Sequence, residues 1–232
     1  MGLGIRSTIR RVNRAIRDPD KHRIAEYLAG TGPKRLHIGC GEYLHSGWLN
    51  CDLLSGWMND MMMRGKVDVI DLDATKPYPF ADATFDLIFS EHMIEHVTHG
   101  DGARMLAECY RVLKPNGRIR ITTPDLAFLV RLYINGNDEV SRRYIEWSAA
   151  SFPGVVAPEA AYVVNNYVRD WGHKFIYDEH TLTRQFENAG FREIQSCRLG
   201  ESSYDDLRGL EREARMPPGF LRLESLIIEA TK

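Results

Sequence analysis

The chain predicts an α/β fold built on a mostly parallel sheet, and three observations carry that expectation. Short apolar runs at 35–38, 48–52, 67–71, 85–89 and 117–122 alternate with stretches of helical periodicity. The first run passes straight into the tight turn Gly39-Cys40-Gly41, where residues without Cβ let the backbone take positive φ and approach a ligand. The second run ends in an acid, Asp52, placed to hold a ribose diol.

Taken in order, the first element is basic. Arg6, Arg10, Arg11, Arg14, Arg17, Lys21 and Arg23 stand against Asp18 and Asp20, with Ile5, Ile9, Val12 and Ile16 at helical spacing. This predicts a basic helical segment over 1–33, which a solvated face or a peripheral contact with anionic lipid would both explain. A domain over 34–232 follows. Within it, 102–112 reads as a helix placing Met105, Leu106, Cys109 and Val112 on one face, closed by the turn composition Lys114-Pro115-Asn116-Gly117. Asp125 is placed to cap the next helix. Residues 135–175 break the rhythm, with Gly136, Pro153, Gly154 and Pro158 among Trp147, Phe152, Tyr162, Tyr167 and Trp171. Such an aromatic, irregular insertion suits either a cap over a site or a surface excursion with its own apolar cluster. A helix over 178–189 ending at Gly190, then strands over 191–197 and 226–230, complete the pattern.

Composition narrows the function. At 232 residues with 44% hydrophobic and 27% charged content, one core with a modest appendage is the natural size class. A net charge of −2 gives no global pull toward nucleic acid. Cys40, Cys51, Cys109 and Cys197 are scattered without a Cys-x-x-Cys pair, which points to reduced thiols and a cytoplasmic setting. No apolar run approaches the roughly 18 residues a membrane helix needs.

The turn itself selects the ligand. A dinucleotide site requires a third small residue where Leu44 stands, and Glu42 would oppose a pyrophosphate. No Gly-Lys-Ser/Thr follows, so a P-loop fails too. A ribose ligand without a neighbouring phosphate fits, and S-adenosylmethionine is such a ligand.

At this point the chain resembles the class I S-adenosylmethionine-dependent methyltransferases, in particular the type 11 group. The resemblance rests on Leu36-His37-Ile38-Gly39-Cys40-Gly41, Asp71-Leu72-Asp73-Ala74, Phe85-Asp86-Leu87-Ile88-Phe89-Ser90, Ile94-Glu95-His96-Val97 and Glu108-Cys109-Tyr110-Arg111-Val112-Leu113-Lys114-Pro115-Asn116-Gly117. It implies a Rossmann-like, doubly wound, seven-stranded, mostly parallel sheet with helices on both faces and a last antiparallel strand. Cofactor contacts would come from Gly39, Gly41, Asp52, Asp73, Ala74, Ser90 and Glu91. Asp73 matches the adenine contact, with Asp71 as the competing acid. The run from Gly41 to Asp52 also resembles a subgroup tied to cell-surface polysaccharide pathways, which implies O-methylation of a small-molecule or carbohydrate hydroxyl.

Transfer to a hydroxyl needs a base, and histidine titrates in the useful range. His96 and His173 are the leading candidates, with Asp170 placed to orient His173, and His92 is the third. His92, Glu95 and His96 share the i, i+3, i+4 spacing of a metal-binding helical face. Read alone, His-x-x-Glu-His is a metalloprotease pattern, but a glycine turn and sheet upstream are the wrong context. Some metal-dependent O-methyltransferases carry Glu-x-x-Glu-His here, and His92 departs from them. The metal question stays open, with turnover expected to survive chelation. Two other functions compete: a catalytically silent subunit of the same fold, and a nucleic-acid methyltransferase. Ser90-Glu91-His92-Met93 stands where the latter's base-methylating motif belongs.

Overall fold

A computed structural model describes residues 19–54 and 68–232. The basic stretch before residue 19, and the predicted helix within it, lie outside the described residues. Helix α1 (Pro19–Ala29) leads into β1 (Arg35–Ile38), β2 (Leu49–Asp52), β3 (Ile70–Asp71) and β4 (Phe85–Glu91). Then come α2 (His99–Val112), β5 (Leu113–Pro124), α3 (Leu126–Asn135), α4 (Glu139–Ser151), α5 (Ala160–Arg169) and α6 (Glu179–Ala189). Strand β6 (Arg192–Ser196), α7 (Phe220–Glu224) and β7 (Ser225–Thr231) close the chain.

The seven strands form one sheet in the order β3-β2-β1-β4-β5-β7-β6. β1 to β5 pair in parallel, and β7 runs antiparallel to both β5 and β6. The order reverses direction at β1 and β4, so a crevice opens beyond their carboxyl ends.

Alternation along the strands sends two different sets of side chains to the two faces. Leu36, Ile38, Ile88, Ile119, Ile121 and Ile228 face Met105, Leu106 and Cys109 of α2 and Leu182 and Phe186 of α6, forming the main core. The α2 stripe is the one the sequence predicts, although the helix starts at His99, where Thr98 accepts the Asp101 amide. On the other face His37, Phe89, Arg120 and Glu229 sit side by side across β1, β4, β5 and β7. Arg120 is fully buried there, donating to Glu211 and Glu229 at 2.5 Å each, and Trp48 and Leu207 pack on Phe89. A buried charge of this kind is tolerable because both carboxylates and two backbone carbonyls satisfy it.

Four local expectations change. Residues 39–48 join β1 to β2 without a helix, a connection shorter than the dozen or so residues usual between parallel strands. The predicted turn at 114–117 is absorbed into β5, with Asn116 at φ +65° and a register shift against β4 taking up the bend. The stretch at 135–175 is largely helical: α4 and α5 pack on α3 through Phe128, Leu132, Tyr144, Val163 and Tyr167, a second core of their own. Its Gly and Pro residues fall between helices, where Asp138 caps α4 by accepting the Ser141 amide. The strand predicted at 67–71 is described only as Ile70–Asp71, so Asp73 lies beyond it. Among the described residues, no helix is long and apolar enough to cross a membrane.

Candidate active site

The glycine turn after β1 is held by the end of β2. Gly39 and Gly41 take φ of +70° and +52°, and the Gly39 and Cys40 amides donate to the Cys51 carbonyl at 2.9 and 3.1 Å. Gly41 donates to Asp52 Oδ2 at 2.7 Å, so the acid that ends β2 also fixes the turn. Gly39 has no room for a side chain: an added Cβ would lie 2.6 Å from Met93 Cβ and 2.4 Å from its Cγ. Burial raises the Asp52 pKa, while the Gly41 amide and the nearby His96 act in the opposite direction. Asp52 and His96 are therefore electrostatic neighbours.

Asp73 sits in the turn after β3, where its Oδ1 accepts from the Thr75 amide at 2.9 Å and the Thr75 hydroxyl at 2.6 Å. Those bonds hold its pKa low. Asp71 instead accepts the Leu54 amide at 3.0 Å, so the two acids are separated in role although two apart in sequence. Ala74 packs against the main core. Ser90, at the end of β4, is fully buried with a hydroxyl lacking a hydrogen-bond partner. Glu91 accepts the Arg212 amide at 3.3 Å, and burial pushes its pKa up despite Arg215.

The run after β4 is not the helical face the spacing suggests. His92 takes φ +48° and only Ile94–His96 turn, as a short 3-10 helix. A single tight turn cannot present three side chains to one ion as an α-helix would. The structure instead brings Glu95 and His96 against His173, which arrives from beyond α5; one potential ligand atom from each lies within 4.8 Å of the others. Zinc ligands at about 2.1 Å could be at most about 4.2 Å apart, so the group would have to draw together to hold an ion. Glu95 is also engaged already: Oε2 accepts from Thr123 at 3.0 Å, and Oε1 makes an ion-pair contact with His92 Nδ1 at 3.3 Å without hydrogen-bond geometry. Burial opposes ionisation of Glu95, but His92 and His96 outweigh it and keep the pKa below its usual value.

His173 is not oriented by the Asp170 side chain. Its Nδ1 lies 2.7 Å from the Tyr167 carbonyl, while the Asp170 carbonyl accepts the His173 amide at 3.2 Å. The Nδ1 proton therefore donates to Tyr167, which leaves Nε2 as the basic nitrogen. Burial lowers the His173 pKa against the pull of Glu95, so the ring is neutral near pH 7. The backbone on either side is anchored too, because the Lys174 and Phe175 amides both donate to the Glu95 carbonyl.

Sequence reasoning misses the elements that aim His173. Trp171 takes φ +57° and Gly172 φ +80°, a left-handed pair that returns the chain toward His96. Tyr144 and Tyr167, both buried, donate to the Glu224 carboxylate beneath the insertion. The Trp-Gly dipeptide is the available signal for the first; the second joins residues far apart in sequence and leaves none.

Comparison with known proteins finds methyltransferases. Residues 36–121 match the family described as "Methyltransferase domain". The chain is 27% identical over 199 residues to a demethylmenaquinone methyltransferase of Corynebacterium kroppenstedtii, covering 82% of this chain and 77% of that one. It is 24% identical to a ubiquinone/menaquinone biosynthesis C-methyltransferase of Cupriavidus necator, covering 77% and 70%. Among solved structures, an S-adenosylmethionine-dependent methyltransferase from Archaeoglobus fulgidus shares the fold with a TM-score of 0.51 at 19% identity, covering 94% of each chain. The putative methyltransferase complexed with the Trm112 activator in Haloferax volcanii gives 0.53 at 13% identity, covering 94% and 91%.

Proposed function

We propose that this chain, an S-adenosylmethionine-dependent methyltransferase of the class I fold, methylates a small molecule through a hydroxyl that His173 deprotonates. In this reading the Gly39–Gly41 turn supports the methionine portion of the donor. Asp52 accepts from the ribose hydroxyls and Asp73 from the adenine amine, with Ala74, Ser90 and Glu91 completing the pocket. The protein's own work is to align donor and acceptor and to remove one proton, since the sulfonium supplies a reactive methyl group.

The observation that carries the reading is the meeting of His173 with His96, the ring whose charge acts on Asp52. Their rings lie edge to face at 4.8 Å between centroids, and His96 acts to lower the Asp52 pKa. A neutral imidazole with one free nitrogen, His173, thus sits against His96, the ring that neighbours the residue assigned to the donor. Attack by the acceptor oxygen on the methyl carbon breaks the carbon–sulfur bond, the electron pair leaves with sulfur, and the hydroxyl proton passes to His173. His96 stays beside the transferring group. His92, turned toward Glu95, acts as a positioning residue.

A second reading is favoured by the relatives' names. A C-methyltransferase of a quinol-like ring also begins by removing a phenolic proton, which directs the electrons to a ring carbon. The same base serves both outcomes. A carbohydrate hydroxyl remains within the first reading and is supported by the resemblance of the Gly41–Asp52 run.

Turnover with donor carrying a 13C-methyl group, followed by heteronuclear NMR of the product, separates the readings. Label bonded to oxygen supports the first and label bonded to carbon the second. Donor binding with no methylated product across phenols, quinols and sugars would favour a silent subunit.

A further inference from the structure

We infer that Arg212 and Glu91 form a clamp for an α-amino-acid group, Arg212 binding its carboxylate and Glu91 its ammonium. The inference rests on the methyltransferase reading above, in which that group is the methionine end of the donor. It adds to the donor site a residue from the connection between β6 and β7.

The support begins with the buried charges on the sheet. A buried ion pair contributes little stability by itself, and its best-attested use is to fix a position. Glu211 has a completely buried side chain. Its Oε1 accepts from Arg120 at 2.5 Å and Thr122 at 3.1 Å, and its Oε2 accepts the Gly200 amide at 3.1 Å. With Glu211 locked, the next residue is delivered to the end of β4, where the Arg212 amide donates to Glu91 Oε1 at 3.3 Å. The Arg212 side chain is exposed, and its guanidinium carbon lies 3.6 Å from the centre of the Tyr43 ring. Tyr43 belongs to the glycine turn, because its amide donates to the Cys40 carbonyl at 2.9 Å. Arg212 therefore links the turn after β1 to the end of β4, the place where the strand order reverses and ligands bind.

The chemistry of the pair selects the ligand. Among the described residues, no acid pairs with the Arg212 guanidinium, and the Tyr43 face holds it without using its N–H groups. That leaves a planar fork suited to a carboxylate. Glu91 stands beside it, and among the described residues its Oε2 accepts no hydrogen bond. Burial disfavours the charged form of Glu91, so a cation is the fitting partner. Arg215 is turned to another acid, with Nη2 4.0 Å from Glu224. An anion alone would meet Arg212 but be repelled by Glu91, and a cation alone would suffer the reverse. A zwitterion answers both charges, and the amino-acid end of S-adenosylmethionine is one.

Calorimetry with two probes tests this. S-adenosylhomocysteine carries the amino-acid end, and 5′-methylthioadenosine is the same thionucleoside without it. Each is titrated into wild type, Arg212→Ala, Arg212→Lys and Glu91→Gln. The inference expects Arg212→Ala and Glu91→Gln to weaken S-adenosylhomocysteine about tenfold or more, with Arg212→Lys in between. Affinity for 5′-methylthioadenosine should be the same in all four proteins. If Glu91→Gln fails to fold, the exposed Arg212 position still decides. Unchanged S-adenosylhomocysteine affinity in Arg212→Ala, or equal weakening of both ligands, would overturn it. A wild type that binds neither ligand would instead strike the methyltransferase reading, so the two failures are separable.

Discussion

His96 and His173 come from distant parts of the chain, one from the turn after β4 and the other from beyond α5, yet their rings meet at 4.8 Å. Only His173 carries a carbonyl on Nδ1, at 2.7 Å from Tyr167, and that bond fixes which nitrogen is basic. His173→Ala should therefore lower turnover about 10²-fold or more, the range for loss of a general base. S-adenosylhomocysteine affinity should stay unchanged. Because burial depresses the His173 pKa, the acidic limb of the kcat profile should fall below pH 6.5, with full rate above it. Near-normal turnover of the variant across pH 6 to 9 would move the role of base to His96.

Metal dependence has a clear expectation. Glu95, His96 and His173 contain a plausible donor set, but Thr123 and His92 already hold the Glu95 carboxylate. Turnover should survive dialysis against EDTA. Loss of activity that a divalent cation restores would show that these three side chains close around an ion.

Gly39→Ala should abolish donor binding and destabilise the fold by about 2 kcal/mol or more, from positive φ and from overpacking. Met93→Ala should not rescue it, since Met93 Cβ itself is the atom 2.6 Å away. Chemical denaturation of the single and double variants checks this. Full stability of the Gly39 variant would mean that the turn is looser than it looks.

Much of this was legible in the sequence. The strand–glycine-turn–acid order, the α2 stripe and the cap at Asp125 are local patterns, and each appears at its expected position, with Asp125 accepting the Ala127 and Phe128 amides. The insertion forms the apolar cluster of its own that was one of its two readings. Its helices were not foreseen because Gly136, Pro153 and Pro158 punctuate it, although Val163, Asn166 and Tyr167 share one buried helical face. The His92–Glu95–His96 spacing misled because a helical face was assumed where His92 turns left-handed. His173 was singled out on chemistry with Asp170 as its partner, but the structure gives it the Tyr167 carbonyl, and a backbone carbonyl leaves no mark in a sequence.

Stability should respond to pH through His37. This ring is buried in β1 against Asn50, and burial lowers its pKa to about 3. Below pH 6.5 the unfolded chain binds a proton that the folded one refuses, so stability rises with pH in that range and falls on acidification. From pH 6.5 to 5 the loss from His37 should be about 1.6 kcal/mol. Denaturant midpoints for wild type and His37→Gln at the two pH values test it. An equal loss in both would assign the acid sensitivity to other groups, such as His45.

The most direct test of the account is calorimetric titration of S-adenosylhomocysteine and NAD into wild type and Asp52→Ala. The account predicts micromolar binding of S-adenosylhomocysteine, no saturation by NAD, and a loss of about 1.5–3 kcal/mol in the Asp52 variant as charge-assisted bonds to the ribose disappear. No heat with S-adenosylhomocysteine, or saturation by NAD, would contradict it.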